Sequence, residues 1–451
     1  MTDPSIPTTP FNQRSALPGA SGSRGPGSGT HASEGALLLD LDVTAIAHGG
    51  VFVARHEGRV VFVSDAIPGE RVRARLSGPS AASGTAGADT RSFWRAETVE
   101  VLDASEHRRP HVWPEADVSR APERRPGGAD LGHIAIAHQR VLKRQVLQEA
   151  LDRFGGGGID APEVEGTGTD ENWRTRVTLH VDDEGRIGPF AARSHRVVPV
   201  AEHVLARPAI DAAARELRGL PEGRIELVEP ADGGVRRVLR TEAERVAHGR
   251  RSRRGPRRPA PETIVERVGD RSFTLDADGF WQIHPAAAGL LDGAVAELLD
   301  GRVDPDAAHL DLYGGVGLFS ATLARLGARR ITTVESSPRA TRHAAANLRD
   351  LGVQAVTARV DRFLRAGDAG PQGVAGGAVI LDPPRSGAGR AVVEDVAARD
   401  PAAIAYVACD PVALARDLAT FRGLGFEPRR MRAFDLFPHS HHLETVALLT
   451  R

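Results

Sequence analysis

The chain has 451 residues, 41% hydrophobic and 26% charged, with a formal net charge of −1. That length fits roughly two to four domains with sizeable cores, and a bulk charge so near zero gives no sign of a nucleic-acid partner. A single cysteine excludes an intramolecular disulfide framework and an all-cysteine metal or iron–sulfur site within one chain, and it suits a reducing, cytoplasmic setting.

No apolar run is long enough to span a bilayer, and the N-terminus lacks a charged-then-apolar signal pattern, so neither a membrane partner nor secretion is expected. Residues 1–36 are rich in Ser, Pro, Gly and Thr and read as a disordered tail. Residues 37–104 read as a small β domain. Strand-like runs lie at 37–41, 50–55, 60–63, 72–76 and 94–102, punctuated by His48-Gly49-Gly50 and Pro68-Gly69-Glu70. A Ser/Ala/Gly-rich insertion falls at 77–90. Five short strands fit an OB-like barrel, a frequent platform for single-stranded nucleic acid, and fit a purely structural barrel equally well.

Residues 105–270 read as an α+β middle domain. Over 136–154, Val141, Leu142, Leu147, Leu151 and Phe154 fall roughly on one helical face, and Gly155 to Gly158 stop it. Strands follow at 174–181, 196–199, 224–228 and 235–239, with one helix near 209–218. Positions 236–258 hold ten arginines against Glu242 and Glu244, a run that suits phosphates or a merely solvated loop.

From 271 to 451 strand and helix signals alternate: strands at 309–313, 331–334, 355–357, 378–381 and 403–408, helices at 318–326, 338–351, 390–398 and 411–424. This is the pattern of a doubly wound, Rossmann-like, mostly parallel sheet. Ser337 before Pro338 and Asp410 before Pro411 mark helix starts. Runs at 430–434 and 443–449 read as a terminal hairpin.

The chemistry gathers in this last region. Asp311-Leu312-Tyr313-Gly314-Gly315-Val316-Gly317 puts glycines, Gly315 among them, at a strand-to-helix turn, where a ligand can approach the backbone. Glu335 ends the next strand and can accept both hydroxyls of a ribose. This pair fits nicotinamide and adenosylmethionine almost equally. Asp382-Pro383-Pro384-Arg385 turns sharply out of a hydrophobic strand, and its prolines fix the backbone without donors. Cys409 stands where a strand meets a helix N-terminus, whose partial charge favours thiolate. A lone cysteine is commonly a core residue, but this one falls on the expected ligand edge. The spacing of His439, His441 and His442 matches no firm metal pattern, and Glu444 opens the last strand.

Asp382-Pro383-Pro384-Arg385, Cys409-Asp410-Pro411 and the ending Phe437-Pro438 with His442-Leu443-Glu444 together resemble the RNA uracil-5-methyltransferase family, and the 37–104 barrel is similar to the TRAM domain that often precedes its catalytic domain. The resemblance implies S-adenosyl-L-methionine as cofactor, RNA as partner, and Cys409 as the nucleophile that adds to C6 of uracil. It implies Glu444 as the base that removes the C5 proton, and Asp382 as the acidic residue at the cofactor and base site. It implies cofactor contacts from Gln282, Tyr313 and Glu335. Arg174, Arg176 and Arg385 are the candidates for RNA contact, and a monomer is expected. Many relatives carry a four-cysteine iron–sulfur cluster after the barrel, but the stretch from His111 to His133 has no cysteine, so no cluster is expected. Asp410 stands where Asn is usual and brings a charge that opposes the helix effect on Cys409. A methyltransferase acting on another nucleic-acid or protein atom, or a catalytically inactive RNA-binding homologue, stays open. Ribosomal and transfer RNA are not distinguished.

Overall fold

A computed structural model describes residues 37–77, 92–242, 262–366 and 374–451. The expected tail at 1–36, nearly all of the 77–90 insertion and the 243–258 part of the arginine run lie outside the described residues.

Strands β1 (Leu38–Ala47), β2 (Val51–His56), β3 (Arg59–Ser64), β4 (Arg71–Ser77) and β5 (Phe93–Asp103) close into a barrel in the order β1-β2-β3-β5-β4. Alternate residues point inward, so Leu41, Phe52, Val61, Val63 and Val72 fill the interior. The β1–β2 turn, His48-Gly49-Gly50, uses positive φ at both glycines (89° and 71°). A Cβ on Gly50 would stand 2.7 Å from His441 Cβ, so only glycine lets the barrel seat this closely on the C-terminal loop.

The cysteine-free stretch after the barrel is held by ion pairs. Arg108 reaches buried Glu70 at 2.6 Å, and Arg125 reaches Asp65 at 2.9 Å. Helix α1 (Ile136–Phe154) then bridges two cores: Leu142 packs into the barrel, while Leu147 and Leu151 pack against the large sheet. Each fully buried leucine contributes about 1.5–3 kcal/mol. A short strand β6 (Val164–Gly166) leaves the middle region to join the large sheet. Strands β7 (Arg176–Val181) and β8 (Ile187–Gly188), helix α2 (Pro208–Arg215), and strands β9 (Gly223–Val228) and β10 (Arg236–Thr241) follow, with sheet order β10-β9-β7-β8. The strand expected at 196–199 reduces to a single bridge, Val197 to Phe190. A hairpin, β11 (Thr263–Val268) and β12 (Arg271–Asp276), straddles the boundary expected between 270 and 271 and packs with Val316 of the last region.

The remaining elements are α3 (Ala287–Leu299), β13 (Ala308–Leu312), α4 (Leu318–Arg325), β14 (Arg330–Glu335), α5 (Pro338–Asn347), β15 (Gln354–Thr357), α6 (Val360–Arg365), β16 (Ala378–Leu381), α7 (Arg390–Ala397), β17 (Ala403–Ala408), α8 (Pro411–Gly423), β18 (Glu427–Asp435) and β19 (Glu444–Thr450). With β6 they build an eight-stranded sheet in the order β15-β14-β13-β16-β17-β19-β18-β6, parallel from β15 to β17; β19 runs antiparallel to both β17 and β18, and β6 lies parallel to β18. Its central strands are buried throughout because helices cover both faces: Leu312, Leu381 and Tyr406 face one core, Ile380, Ala405 and Val407 the other. The strand order reverses between β13 and β16, the place where open α/β sheets leave a crevice for ligands. Among the described residues, no helix is long and apolar enough to cross a membrane.

Candidate active site

β13 delivers its chain into the crevice through Tyr313 (φ 65°) and Gly315 (φ 55°). The glycines here do different work. A Cβ on Gly314 would fall 2.0 Å from Thr333 Oγ1 and 2.9 Å from an Asp311 carboxylate oxygen, whereas a Cβ on Gly315 would meet nothing within 4 Å. Gly314 therefore lets the turn pack on β14, and Gly315 opens to free space. At the end of β14, Glu335 accepts from the Ser337 amide at 2.6 Å, the Ser336 hydroxyl at 3.1 Å and the Gly315 amide at 3.2 Å. These bonds fix its carboxylate at the rim. Asp311 is fully buried and accepts from Ser320 Oγ at 2.6 Å, while its Oδ1 has no partner. Burial pushes its carboxyl up to about 6. Gln282 follows Trp281, whose ring packs against Phe273 in the core that also holds Val316.

The second half of the site is built by three strand ends. Leu381 of β16 pairs with Tyr406 of β17, and Ala408 of β17 pairs with Thr445 of β19. That register brings Asp382, Cys409 and Glu444 to one edge of the sheet. Asp382 donates its amide to Leu312 O at 3.3 Å, tying the loop to the β13 end. The rest of this loop is held from behind by Asp417 on α8, which is 4% exposed. Its carboxylate accepts from the amides of Ala388 at 2.7 Å and Gly389 at 3.2 Å, and from the Tyr406 hydroxyl at 2.6 Å. Arg385 is exposed and donates to His442 Nε2 at 3.3 Å. Burial holds His442 down to about 3, so its ring is neutral and accepts. Arg385, Cys409 and Asp410 line, together with the barrel turn His48-Gly49-Gly50, one cleft of about 590 Å³, counting its open mouth.

Electrostatics correct one sequence expectation. Helix α8 does begin beside Cys409, capped by Asp410 accepting from the Ala413 amide at 2.8 Å. Burial first, then the negative fields of Glu444 and Asp382, push the Cys409 thiol up to about 12, against the lowering influence of Arg385. Glu444, 4% exposed, is itself held well above the usual carboxylate range by burial and by Asp382. Asp382 is pushed up to about 7 by burial and by Asp311. The resting site thus favours protonated groups.

Two expected RNA contacts are not presented to a ligand. Arg176 is 7% exposed and donates to Ala277 O at 3.2 Å and Gly279 O at 2.7 Å. Arg174 donates to Gly128 O at 2.9 Å and lies over the Trp173 ring. Arg176 fastens the middle region to the last region, and Arg174 ties two parts of the middle region together, because their planar forks satisfy carbonyls. Among the described residues no three His, Cys, Asp or Glu side chains converge as a metal-holding group. Sequence reasoning overlooked Asp311, Asp417 and His48. Asp417 had a signal: it lies between Leu414, Leu418 and Phe421 on the apolar face of α8, where a lone carboxylate needs buried donors.

A solved structure of similar architecture is the tRNA (uracil-54, C5)-methyltransferase of Pyrococcus abyssi in complex with S-adenosyl-L-homocysteine. It matches at a TM-score of 0.63 and 21% identity, over 91% of this chain and 99% of that one. The class defined by this sheet is therefore the α/β methyltransferase fold. In sequence, residues 286–451 match the family described as tRNA (Uracil-5-)-methyltransferase. An uncharacterised RNA methyltransferase of Streptomyces avermitilis is 36% identical over 91% of this chain and 97% of its own length. The 23S rRNA (uracil(1939)-C(5))-methyltransferase of Halomonas elongata is 32% identical over 98% of this chain and 95% of its own. The chain belongs to the RNA (uracil-5-)-methyltransferase family, whose enzymes depend on S-adenosylmethionine.

Proposed function

We propose that this enzyme methylates C5 of a uridine in ribosomal or transfer RNA through a covalent bond between Cys409 Sγ and C6 of the ring. The observation that carries the reading is the convergence of the chain's one thiol with Asp382 and Glu444 on the edge that also holds the Gly315 turn. Uracil C5 is a weak nucleophile. Addition of sulfur at C6 turns the ring into an enolate, whose C5 can then form a new bond. Glu444 takes the C5 proton, the C6–S bond breaks, and Cys409 is regenerated. A carboxylate raised by burial suits this step, since once ionised it holds a proton strongly. The high thiol pKa means that Cys409 is activated only in the substrate complex, where Arg385 is the nearby cation that favours thiolate.

The crevice fits S-adenosylmethionine. Gly315 opens to free space, Glu335 offers a fixed carboxylate for ribose hydroxyls, and Asp311 Oδ1 is a buried acceptor with no partner. Gln282, Tyr313, Gly315, Glu335 and Asp382 would hold the cofactor, which when bound supplies the electrophilic methyl group. The barrel (37–104) and the middle region (105–270) would hold the RNA around a uridine turned out of its stack, beside the methyltransferase region (271–451). A cytoplasmic monomer without an iron–sulfur cluster completes the reading.

The test uses RNA carrying 5-fluorouridine. Fluorine at C5 cannot leave as a proton, so a protein–RNA adduct should survive denaturation and vanish in Cys409→Ala. Methyl transfer to ordinary RNA without any adduct would instead indicate a nitrogen or ribose target.

A further inference from the structure

We propose that His48 of the barrel is a positioning residue for the nucleophile, holding the Asp410 carboxylate so that its charge opposes the Cys409 thiolate less. The inference rests on the reading of Cys409 as nucleophile. Its physical basis is a contact between segments 362 residues apart: His48 Nε2 lies 2.8 Å from Asp410 Oδ2. Burial alone would raise Asp410, but bonds from His48 and from the Ala413 amide outweigh it and hold the carboxyl below its usual value. An ionised carboxylate only accepts, so Nε2 carries the proton in this pair.

Asp410 has two oxygens with separate tasks. Oδ1 caps α8 through Ala413, and Oδ2 takes the histidine. The cap fixes the carboxylate next to Cys409, where its charge disfavours thiolate. His48 is the group that faces this charge from the barrel, and its position is set by an independent packing constraint. The β1–β2 turn is locked by two left-handed glycines, and Gly50 abuts His441, which is bonded to Asp130 at 2.7 Å. The other charged or titratable groups around Cys409 and the cleft are Glu444, Asp382, Arg385, Lys143, His441 and His442. Arg385 already bonds His442, which leaves His48 as the group bonded to Asp410. The barrel would then help to form the nucleophile's environment as well as to hold RNA.

The experiment measures alkylation of the full-length protein by iodoacetamide against pH. Cys409 is the only cysteine, so the rate reports that thiol alone. Four proteins form a cycle: wild type, His48→Ala, Asp410→Asn and the double variant. Asparagine retains the cap and removes only the charge. His48→Ala should slow alkylation at pH 8 by about threefold, the effect of a shift of roughly half a pKa unit, and Asp410→Asn should speed it by a similar factor. In the Asp410→Asn background, removing His48 should change nothing. Equal slowing by His48→Ala in both backgrounds, or no effect of either single change, would overturn the proposal. Alkylation needs no RNA, so a failed 5-fluorouridine trap would count against the nucleophile reading without moving this result.

Discussion

The Tyr406 hydroxyl donates to Asp417 Oδ2 at 2.6 Å, while the same carboxylate takes the amides of Ala388 and Gly389 from the loop that begins at Asp382. A strand, a helix and the loop between Asp382 and α7 are thus fixed to one buried charge. Both tyrosines of the chain feel it, since Tyr313 is pushed up to about 12 by burial and then by Asp417. Asp417→Ala strands the Tyr406 hydroxyl and the Gly389 amide, leaves the Ala388 amide only the Tyr406 oxygen at 3.2 Å, and should lower stability by about 2–4 kcal/mol, whereas Tyr406→Phe leaves both amides on Asp417 and should cost about 1 kcal/mol. Urea unfolding of the two variants checks the order. Equal losses would mean that the loop does not depend on Asp417.

Gly314 and Gly315 should separate folding from cofactor binding. Gly314→Ala drives a methyl to within 2.0 Å of Thr333 Oγ1 on a buried strand; the sheet must give, and the melting temperature should fall by several degrees. Gly315→Ala meets no atom, and its cost is a left-handed alanine, about 1 kcal/mol. Its methyl enters the open crevice. Calorimetric titration should therefore show adenosylmethionine affinity reduced at least tenfold in Gly315→Ala with the fold retained. Unchanged affinity would place the cofactor elsewhere.

How much of this was legible beforehand follows from the kind of contact involved. Helix α1, strands β16 and β17, and the two caps at Ser337 and Asp410 were readable because local periodicity and capping chemistry set them. The convergence of Asp382 and Cys409 on one edge was readable from strand order. Long-range pairing was not: β6 joins the large sheet through β18, and hairpin β11–β12 crosses an expected boundary. Helix α3 went unread although eight of its residues are buried, because an Ala/Leu-rich run buried on most sides shows little periodicity. What raises the thiol was legible only in part, for a related reason. A helix N-terminus and the Asp410 charge are visible in sequence, whereas the burial and the carboxylate Glu444 that raise the thiol come from tertiary packing.

Cys409 should titrate late. Its thiol is raised to about 12 by burial and by Glu444 and Asp382, so the protonated form dominates throughout the neutral range. Alkylation should climb about tenfold per pH unit from pH 7 to 10 without a plateau. Glu444→Gln removes the carboxylate that opposes the thiolate once it is ionised, so the thiol's midpoint should move down. A wild-type plateau below pH 9 would show that the thiolate already exists in the free protein.

Lys143, the single lysine among 58 Lys and Arg residues, sits at 2% exposure with its ammonium on Asp435 Oδ1 at 2.5 Å and Phe437 O at 3.1 Å. It ties α1 to the end of β18, the strand whose Phe434 pairs with Glu444, and so it supports the position of the proposed base. Asp435 is fully buried, and its next cation, Arg140, stands at 3.5 Å. Lys143→Met should therefore leave a carboxylate without adequate compensation and cost about 3–5 kcal/mol. Lys143→Arg keeps the charge but forces a larger planar fork into a packed site, at about 1–3 kcal/mol. Lys143→Met with Asp435→Asn removes both charges and should recover most of the loss. Urea unfolding with the three proteins decides between these cases. If the double variant is no more stable than Lys143→Met, the loss comes from the lysine's packing and not from a stranded charge.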